Sequence, residues 1–460
     1  MLKKSPEKKQ TRFLYNGLAE MLNPQNSLYQ LSNKIPWEIF EREFSRLYRK
    51  DFGRPGKAIR LMVSLLLLKQ MHELSDETVL QQWVQNPYWQ YFSGEKEFQW
   101  RLPVCSSDLT HFRKRIGDAG VEKIFQISIA LHGKAALEDE VVIDTTVQEK
   151  NITYPVDSKF YRKIINQCRT IASQEGIILR QSYLRVVKRL LMQVRSGKHP
   201  RRVKQARQAR RKLRTIAGRL IRELERKLPL DVLEDYRELL ALFRRVLRQQ
   251  RTDRNKIYSL HEQEVHCISK GKEHKKYEFG SKACITTTKN SGIIVGALDV
   301  RNRYDGHCLP DALKQCESLR GVRPKVALTD RGFKGVKHID GTDILLPGRS
   351  TKQASVYEKS KARKRFRRRA GIEPRIGHLK SDCGLGRNYL KGVLGDSINL
   401  MLAAAAYNFK KLLREFFSVF SPWKRALCTA KSELTWHLTV FRALIDQPSC
   451  LNGTQLLWNL

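Results

Sequence analysis

The sequence predicts a mixed α/β protein: a sheet flanked by helices, an all-α N-terminal domain, and a large basic α-helical insertion between the first and second strands. Three observations predict it. Apolar, β-branched runs read as strands at 141–146, 277–287, 293–300 and 326–330. Residues 37–117 carry helical apolar stripes with capping signals and no strand pattern. Between the first strand run and the others, about 155–256 turns helical, strand-poor and dense in Lys and Arg.

The elements follow in order. Residues 1–36 read as a basic tail, and 37–135 as a helical domain for DNA binding or dimerisation. Within it, Gly53-Arg54-Pro55-Gly56 breaks the chain before an apolar helix at 59–71, and Ser75 or Asp76 caps the next, 77–85. That helix pair is compatible with helix-turn-helix DNA binding and equally with plain packing. The aromatic cluster Pro87-Tyr88-Trp89-Gln90-Tyr91-Phe92 reads as packing, and 108–117 as a capped helix whose Arg113 and Arg115 could meet backbone phosphate. In the insertion, Leu184, Val187, Leu190 and Leu191, then Leu233, Tyr236, Leu240, Phe243 and Leu247, recur at helical spacing and predict an inserted hairpin or coiled pair. Its cations, among them Arg201, Arg202, Arg210, Arg211 and Lys212, read as contacts to a DNA backbone, since neutralised phosphates release counterions. Lys289-Asn290-Ser291-Gly292 has hairpin-turn composition; a helix at 309–319, a short helix after Asp330, a strand at 344–346 and a final helix at 396–417 complete a sheet region of 136–154 and 257–417. The tail 418–460 carries no interpretable motif.

Composition bounds the partner. Against 46 Asp and Glu stand 87 Lys and Arg, a net charge of +41 over 460 residues, far beyond what solubility requires. A polyanion is implied. No apolar run approaches the roughly 18 residues of a spanning helix, so nucleic acid is a better reading than a membrane. The basic N-terminus lacks an apolar stretch of the kind a secretion signal needs, which leads to the expectation of a cytoplasmic protein. Nine scattered cysteines with no C-x-x-C pair support neither a disulfide framework nor a zinc knuckle.

In that basic chain three acids stand out. Asp144 sits inside Val141-Val142-Ile143-Asp144-Thr145-Thr146, where an acid is costly to bury without a partner. Asp330 ends Val326-Ala327-Leu328-Thr329-Asp330 at a turn, and Glu373 follows the basic run 363–369. Individually, a strand-end Asp is usually a cap and a helix Glu among arginines a solvated ion pair. Taken together they point to metal-ion chemistry on a phosphate polymer, because hard divalent cations such as Mg²⁺ take oxygen ligands and need few carboxylates beside substrate phosphates. Asp340, Asp343, Asp382 and Glu358 are neighbouring acids without that context.

Phe366-x-x-Arg369-x-x-x-Glu373-x-x-x-x-x-x-Lys380 resembles the Y-x2-R-x3-E-x6-K signature of bacterial insertion-sequence DDE transposases, with Phe366 in the tyrosine place. Asp144-Thr145-Thr146 and Thr329-Asp330-Arg331-Gly332-Phe333 are similar to the segments holding that family's aspartates. The likeness extends to His274–Gly280, Tyr304-Asp305-Gly306-His307 and the helical region from Asn86-Pro87-Tyr88, about residues 40–410 in all. The resemblance implies a ribonuclease H-like catalytic domain in which Asp144, Asp330 and Glu373 hold two Mg²⁺ ions, for which Mn²⁺ could substitute. It further implies that Arg369 and Lys380 grip terminal phosphates. The implied reaction is cleavage at the element's ends, then attack of the freed 3′-hydroxyl on target DNA, by a homo-oligomer, expected to be a dimer at the nucleoid. His378 and His307 are expected to be structural. A transposase-derived binder without catalysis and a ribonuclease H-like nuclease remain the rival classes.

Overall fold

The computed structural model describes residues 17–49, 55–250, 252–269, 275–347 and 355–419. Residues 1–16, Gly53, Arg54, His274 and 420–460 lie outside them. The described chain forms two compact units, one running to Ile116 and resuming from Ala406, the other Gly117–Ala405.

In the first unit the helices are α1 (Leu18–Met21), α2 (Ser27–Lys34), α3 (Trp37–Ser45), α4 (Ile59–Met71), α5 (Asp76–Gln85) and α6 (Pro87–Phe92), followed by the start of α7 (Ser106–Ala130). Folding begins earlier than expected: residues from 17 onward are structured, with Leu18 and Leu31 buried and Tyr29 stacked on Tyr91 at 4.3 Å. The aromatic cluster therefore packs, as its composition indicated, and Asn86 caps α6 with Pro87 in its first turn, where a missing N–H costs nothing. Almost every residue of α4 is buried, so it is the core helix of the unit. The cap of α5 is Ser75, whose Oγ accepts from Thr78 N at 3.0 Å; Asp76 is engaged elsewhere. Acidic Asp76 and Glu77 open α5, which is poor chemistry for a helix meant to meet DNA with its N-terminal residues.

α7 is longer than the helix read at 108–117 and is broken at Gly117, whose φ of 60° only glycine adopts without strain. The division between units falls there, so the first unit ends at Ile116 and not near residue 135.

The second unit continues with β1 (Glu140–Lys150), the helices α8 (Asp157–Gln174), α9 (Leu184–Arg195), α10 (Val203–Lys227) and α11 (Leu230–Arg248), then β2 (His266–Ser269), β3 (Tyr277–Thr288), β4 (Ile294–Arg301), α12 (Leu309–Arg320), β5 (Val326–Leu328), β6 (His338–Ile339), β7 (Thr342–Leu345), α13 (Val356–Arg369), α14 (Ile372–Asp382), β8 (Arg387–Asn388) and α15 (Gly392–Val419). α15 crosses into the first unit at Ala406. The short β2, β6 and β8 escaped the sequence reading because two to four residues carry no period, and the short helix after Asp330 is one 3-10 turn, Arg331–Phe333.

The sheet runs β2-β3-β1-β5-β7-β6, with β4 also pairing β3 and β8 also pairing β1. β1, β3 and β4 are antiparallel neighbours, whereas β5 lies parallel to both β1 and β7. The insertion is more than a hairpin: α8–α11 close one core of their own, including Ile164, Leu190, Leu213, Leu220 and Phe243. The far end of β1 is fixed by Lys150, buried, whose Nζ lies 2.9 Å from Asp396 Oδ1 and donates to the Leu390 carbonyl at 2.7 Å. Burial pushes the Asp396 carboxyl up to about 6 despite that ion pair.

Candidate active site

β1 and β5 are parallel, and Val142 pairs with Leu328. Asp144 lies two residues beyond Val142 and Asp330 two beyond Leu328, and because side chains repeat every second residue along a strand, Asp144 shares the face of Val142. Adjacent strands are about 5 Å apart; Asp144 lies inside β1, and Asp330 follows the end of the neighbouring β5 by two residues. Ile372, fully buried, packs on Val142 and Leu328 together, with Phe366 and Ile376 against the same cluster. Phe366, in the signature's tyrosine place, thus fills an apolar contact. The residue after Ile372 is Glu373, in the first turn of α14, where a negative charge suits the helix dipole. Pro374 in that turn displaces no intrahelical bond.

Asp144 and Asp330 are half-buried. Asp144 Oδ1 accepts from Thr145 N at 2.7 Å, and Asp330 Oδ1 accepts from Gly332 N at 2.9 Å. Glu373 differs: its side chain is 68% exposed, with Oε1 4.0 Å from Arg369 Nη2. Arg369 and Glu373 lie on separate helices: α13 ends at Arg369 and α14 starts at Ile372, with Gly371 between them. Among the described residues no three His, Cys, Asp or Glu side chains stand close enough to hold a metal ion. The residues beside the three acids, Val142, Leu328 and Ile372, share one apolar cluster, while the Glu373 side chain itself is exposed to solvent. Carboxylate oxygens inside β1, just past the end of β5 and on a helix packed against both strands are of the donor type that fits a hard divalent cation.

A residue that sequence reading left aside stands beside this site. A Cβ on Gly332 would come within 3.0 Å of Asp330 Oδ1 and 3.2 Å of Asp305 Oδ2, so glycine leaves room for two carboxylates. Lys282 Nζ, 3.1 Å from Asp305 Oδ1, balances that charge. In the sequence Asp305 stands out only as part of Tyr304-Asp305-Gly306-His307. His307 packs its ring edgewise on Tyr304, and His378 Nδ1 lies 2.8 Å from Asp382 Oδ2 on the outer side of α14. The neighbouring acids are engaged at the surface, Asp340 with Arg323 at 3.2 Å and Asp343 with His338 at 3.0 Å.

Of the expected phosphate-gripping residues, Lys380 is half-buried on α14. Arg113 is not available for this role. It is 5% exposed and forks onto Asp76 with Nη1–Oδ1 2.8 Å and Nη2–Oδ2 2.6 Å, a carboxylate that Lys69 also contacts inside the first unit. Arg115 is exposed, its guanidinium over the Tyr48 ring at 4.4 Å. Arg201, Arg202, Arg210, Arg211 and Lys212 are all exposed. They belong to a stretch, 176–222, that holds 16 Lys and Arg and no Asp or Glu. α10 buries Ala206, Ala209, Leu213, Ile216 and Leu220 inward, which turns the intervening cations to solvent. No helix among the described residues is long and apolar enough to cross a membrane.

Comparison with known proteins adds two family matches. Residues 17–115 match the family described as Transposase domain (DUF772), and residues 246–409 match the family described as Transposase DDE domain. A Rhizobium meliloti protein, described as an uncharacterized protein ORF8 in the nfe locus, is 44% identical over 189 residues, covering 40% of this chain and 91% of that protein. No solved structure matches the chain.

Proposed function

We propose, for a chain that belongs to the insertion-sequence DDE transposases, that Asp144, Asp330 and Glu373 carry metal-dependent cleavage at the ends of its element and transfer of the 3′-hydroxyl into target DNA. The observation that carries this reading is the parallel pairing of Val142 with Leu328 beneath Ile372, which sets the three acids one short step from a single apolar contact. We read the sheet as ribonuclease H-like on the same grounds: the first acid on the first long strand, the second after a parallel neighbour, the third on a later helix.

Domains of this family generally use divalent metals, and Asp144, Asp330 and Glu373 would hold them, Mg²⁺ or its substitute Mn²⁺. When bound, such ions lower the pKa of an attacking hydroxyl and stabilise the leaving oxygen of an in-line displacement. The protein's part is positional. Asp144 is presented inside strand β1 and Asp330 just past the end of β5, and Glu373 joins them by rotating its exposed side chain from Arg369, which frees the guanidinium for a terminal phosphate. Lys380 lies two helical turns further along α14, within reach of the same strand of DNA. The acid-free cationic surface of the insertion supplies sequence-independent grip on the duplex. Cleavage at two ends by one complex calls for more than one protomer, and a dimer is the simplest such assembly.

The test is direct. Purified protein with Mg²⁺ is expected to nick or cleave DNA bearing the element's terminal repeats, and Asp330→Asn to abolish cleavage while retaining binding. Wild-type cleavage by that variant would remove Asp330 from the chemistry. One observation favours a second reading, a DNA-binding protein without catalysis: Glu373 stands exposed. Binding without cleavage by the unaltered chain, at any Mg²⁺ or Mn²⁺ concentration, would establish it.

A further inference from the structure

We infer that Arg375 is a positioning residue that fixes where Glu373 is held, by pinning the first turns of α14 to the β3–β4 hairpin; the inference rests on the role proposed above for Glu373. Its Nη1 donates to Thr287 Oγ1 at 2.8 Å and to the Thr288 carbonyl at 3.0 Å, and its Nη2 to the Lys289 carbonyl at 3.4 Å. These acceptors are the last residues of β3 and the start of its turn. A planar guanidinium engages such a divergent set; a lysine ammonium presents a single point charge.

The hairpin is shaped to receive it. Gly292, at φ +70°, faces the guanidinium so closely that a Cβ there would lie 2.7–2.8 Å from its atoms. The turn is itself held, since Glu138 accepts from Asn290 N at 2.8 Å and from Ser291 N at 2.6 Å. α13 is fastened to the same place. Arg365 forks onto Glu140, which Lys289 also contacts at 2.6 Å, and those cations hold the Glu140 carboxyl below the usual range. Arg368 bonds Asn290. The break at Ala370–Gly371 between the two helices is thus clamped on both sides. Glu373 follows Ile372, wedged into the apolar platform, and precedes Arg375 by two residues. An apolar contact on one flank and a three-point polar contact on the other leave its backbone no freedom to slide, which is what a carboxylate needs if only its side chain is to swing into the site.

The test compares full-length Arg375→Ala, Arg375→Lys and Gly292→Ala with the unaltered protein on terminal-repeat DNA. Expected are unchanged thermal midpoints for Arg375→Lys, DNA affinity within about twofold, and a single-turnover cleavage rate lower by about tenfold or more, since small misplacements are costly. The Mg²⁺ concentration giving half-maximal cleavage should rise. Mn²⁺ binding to the DNA-free protein, read by electron paramagnetic resonance, should weaken in parallel. Arg375→Ala combined with Gly292→Ala should be no slower than the slower single variant, because both remove one contact. Unchanged rate, Mg²⁺ dependence and Mn²⁺ affinity in Arg375→Ala would overturn the inference. Glu373→Gln run alongside separates the two failures: if it is inactive while Arg375→Ala behaves as wild type, the anchoring role alone falls. If Glu373→Gln cleaves normally, the role proposed for Glu373 falls first, and this inference with it.

Discussion

Replacing Arg201, Arg202, Arg210, Arg211 and Lys212 together by Gln probes the insertion as a DNA-binding surface. The five side chains are exposed and lie in a stretch without acids, so folding places no protein carboxylate from that stretch against them. If each meets one phosphate, the slope of log affinity against log salt becomes shallower by about 0.9 per residue, at most roughly 4.5 for the set. Between about 50 and 200 mM salt the unaltered protein would then lose up to roughly 500-fold more affinity than the variant. Folding should barely change, since exposed substitutions typically cost within about 0.5 kcal/mol each and Gln is as good a helix former as Arg or Lys. Fluorescence anisotropy of a labelled duplex, titrated at several salt concentrations, measures the slope. Arg237 and Arg244 provide the control: each faces a glutamate, Glu234 at 2.7 Å and Glu225 respectively, so their replacement should leave the slope nearly unaltered. An unchanged slope in the five-fold variant would refute the DNA-binding role and leave the insertion a packing or assembly element.

Two further outcomes follow from buried charge. Arg113→Ala removes the two-point bond to Asp76 but leaves that carboxylate paired with Lys69, so a loss of about 1–3 kcal/mol is expected, visible as a lower chemical-denaturation midpoint; an unshifted midpoint would show that the Arg113 contact is dispensable. Asp396 gives a pH signature: its carboxyl titrates at about 6 when folded, above its ordinary value, so the folded state is favoured at low pH and loses stability as pH rises from about 4 to about 6. Asp396→Asn should flatten that part of the thermal-midpoint profile, and an identical profile would place the pH dependence elsewhere.

Much of the fold was legible locally. Val141-Val142-Ile143 and Val326-Ala327-Leu328 announce strands because β-branched and apolar residues suit a buried sheet, and the stripes of α10 and α11 announce helices because burial demands a 3.6-residue period. The acids were legible because a carboxylate amid so many cations and apolar neighbours requires a reason. What local signals missed was either too short to have a period, as with β2, β6 and β8, or depended on contacts distant in the chain. Arg113 is the clearest case: the following Lys114 and Arg115 are basic and exposed, and Asp76, brought against Arg113 by folding, holds it inward.

By itself, then, the sequence determined most element types and the excess positive charge and singled out the three acids as candidates, since these rest on residue chemistry and on periods of two and 3.6 that short windows contain. Only tertiary structure decided that β1 and β5 run parallel with Val142 beside Leu328, that Ile372 caps both, that α13 and α14 are separate helices, and that Arg375 reaches a hairpin turn more than eighty residues earlier. Register and side-chain reach are set by the lowest free energy of the whole packed chain, and no segment carries that information alone.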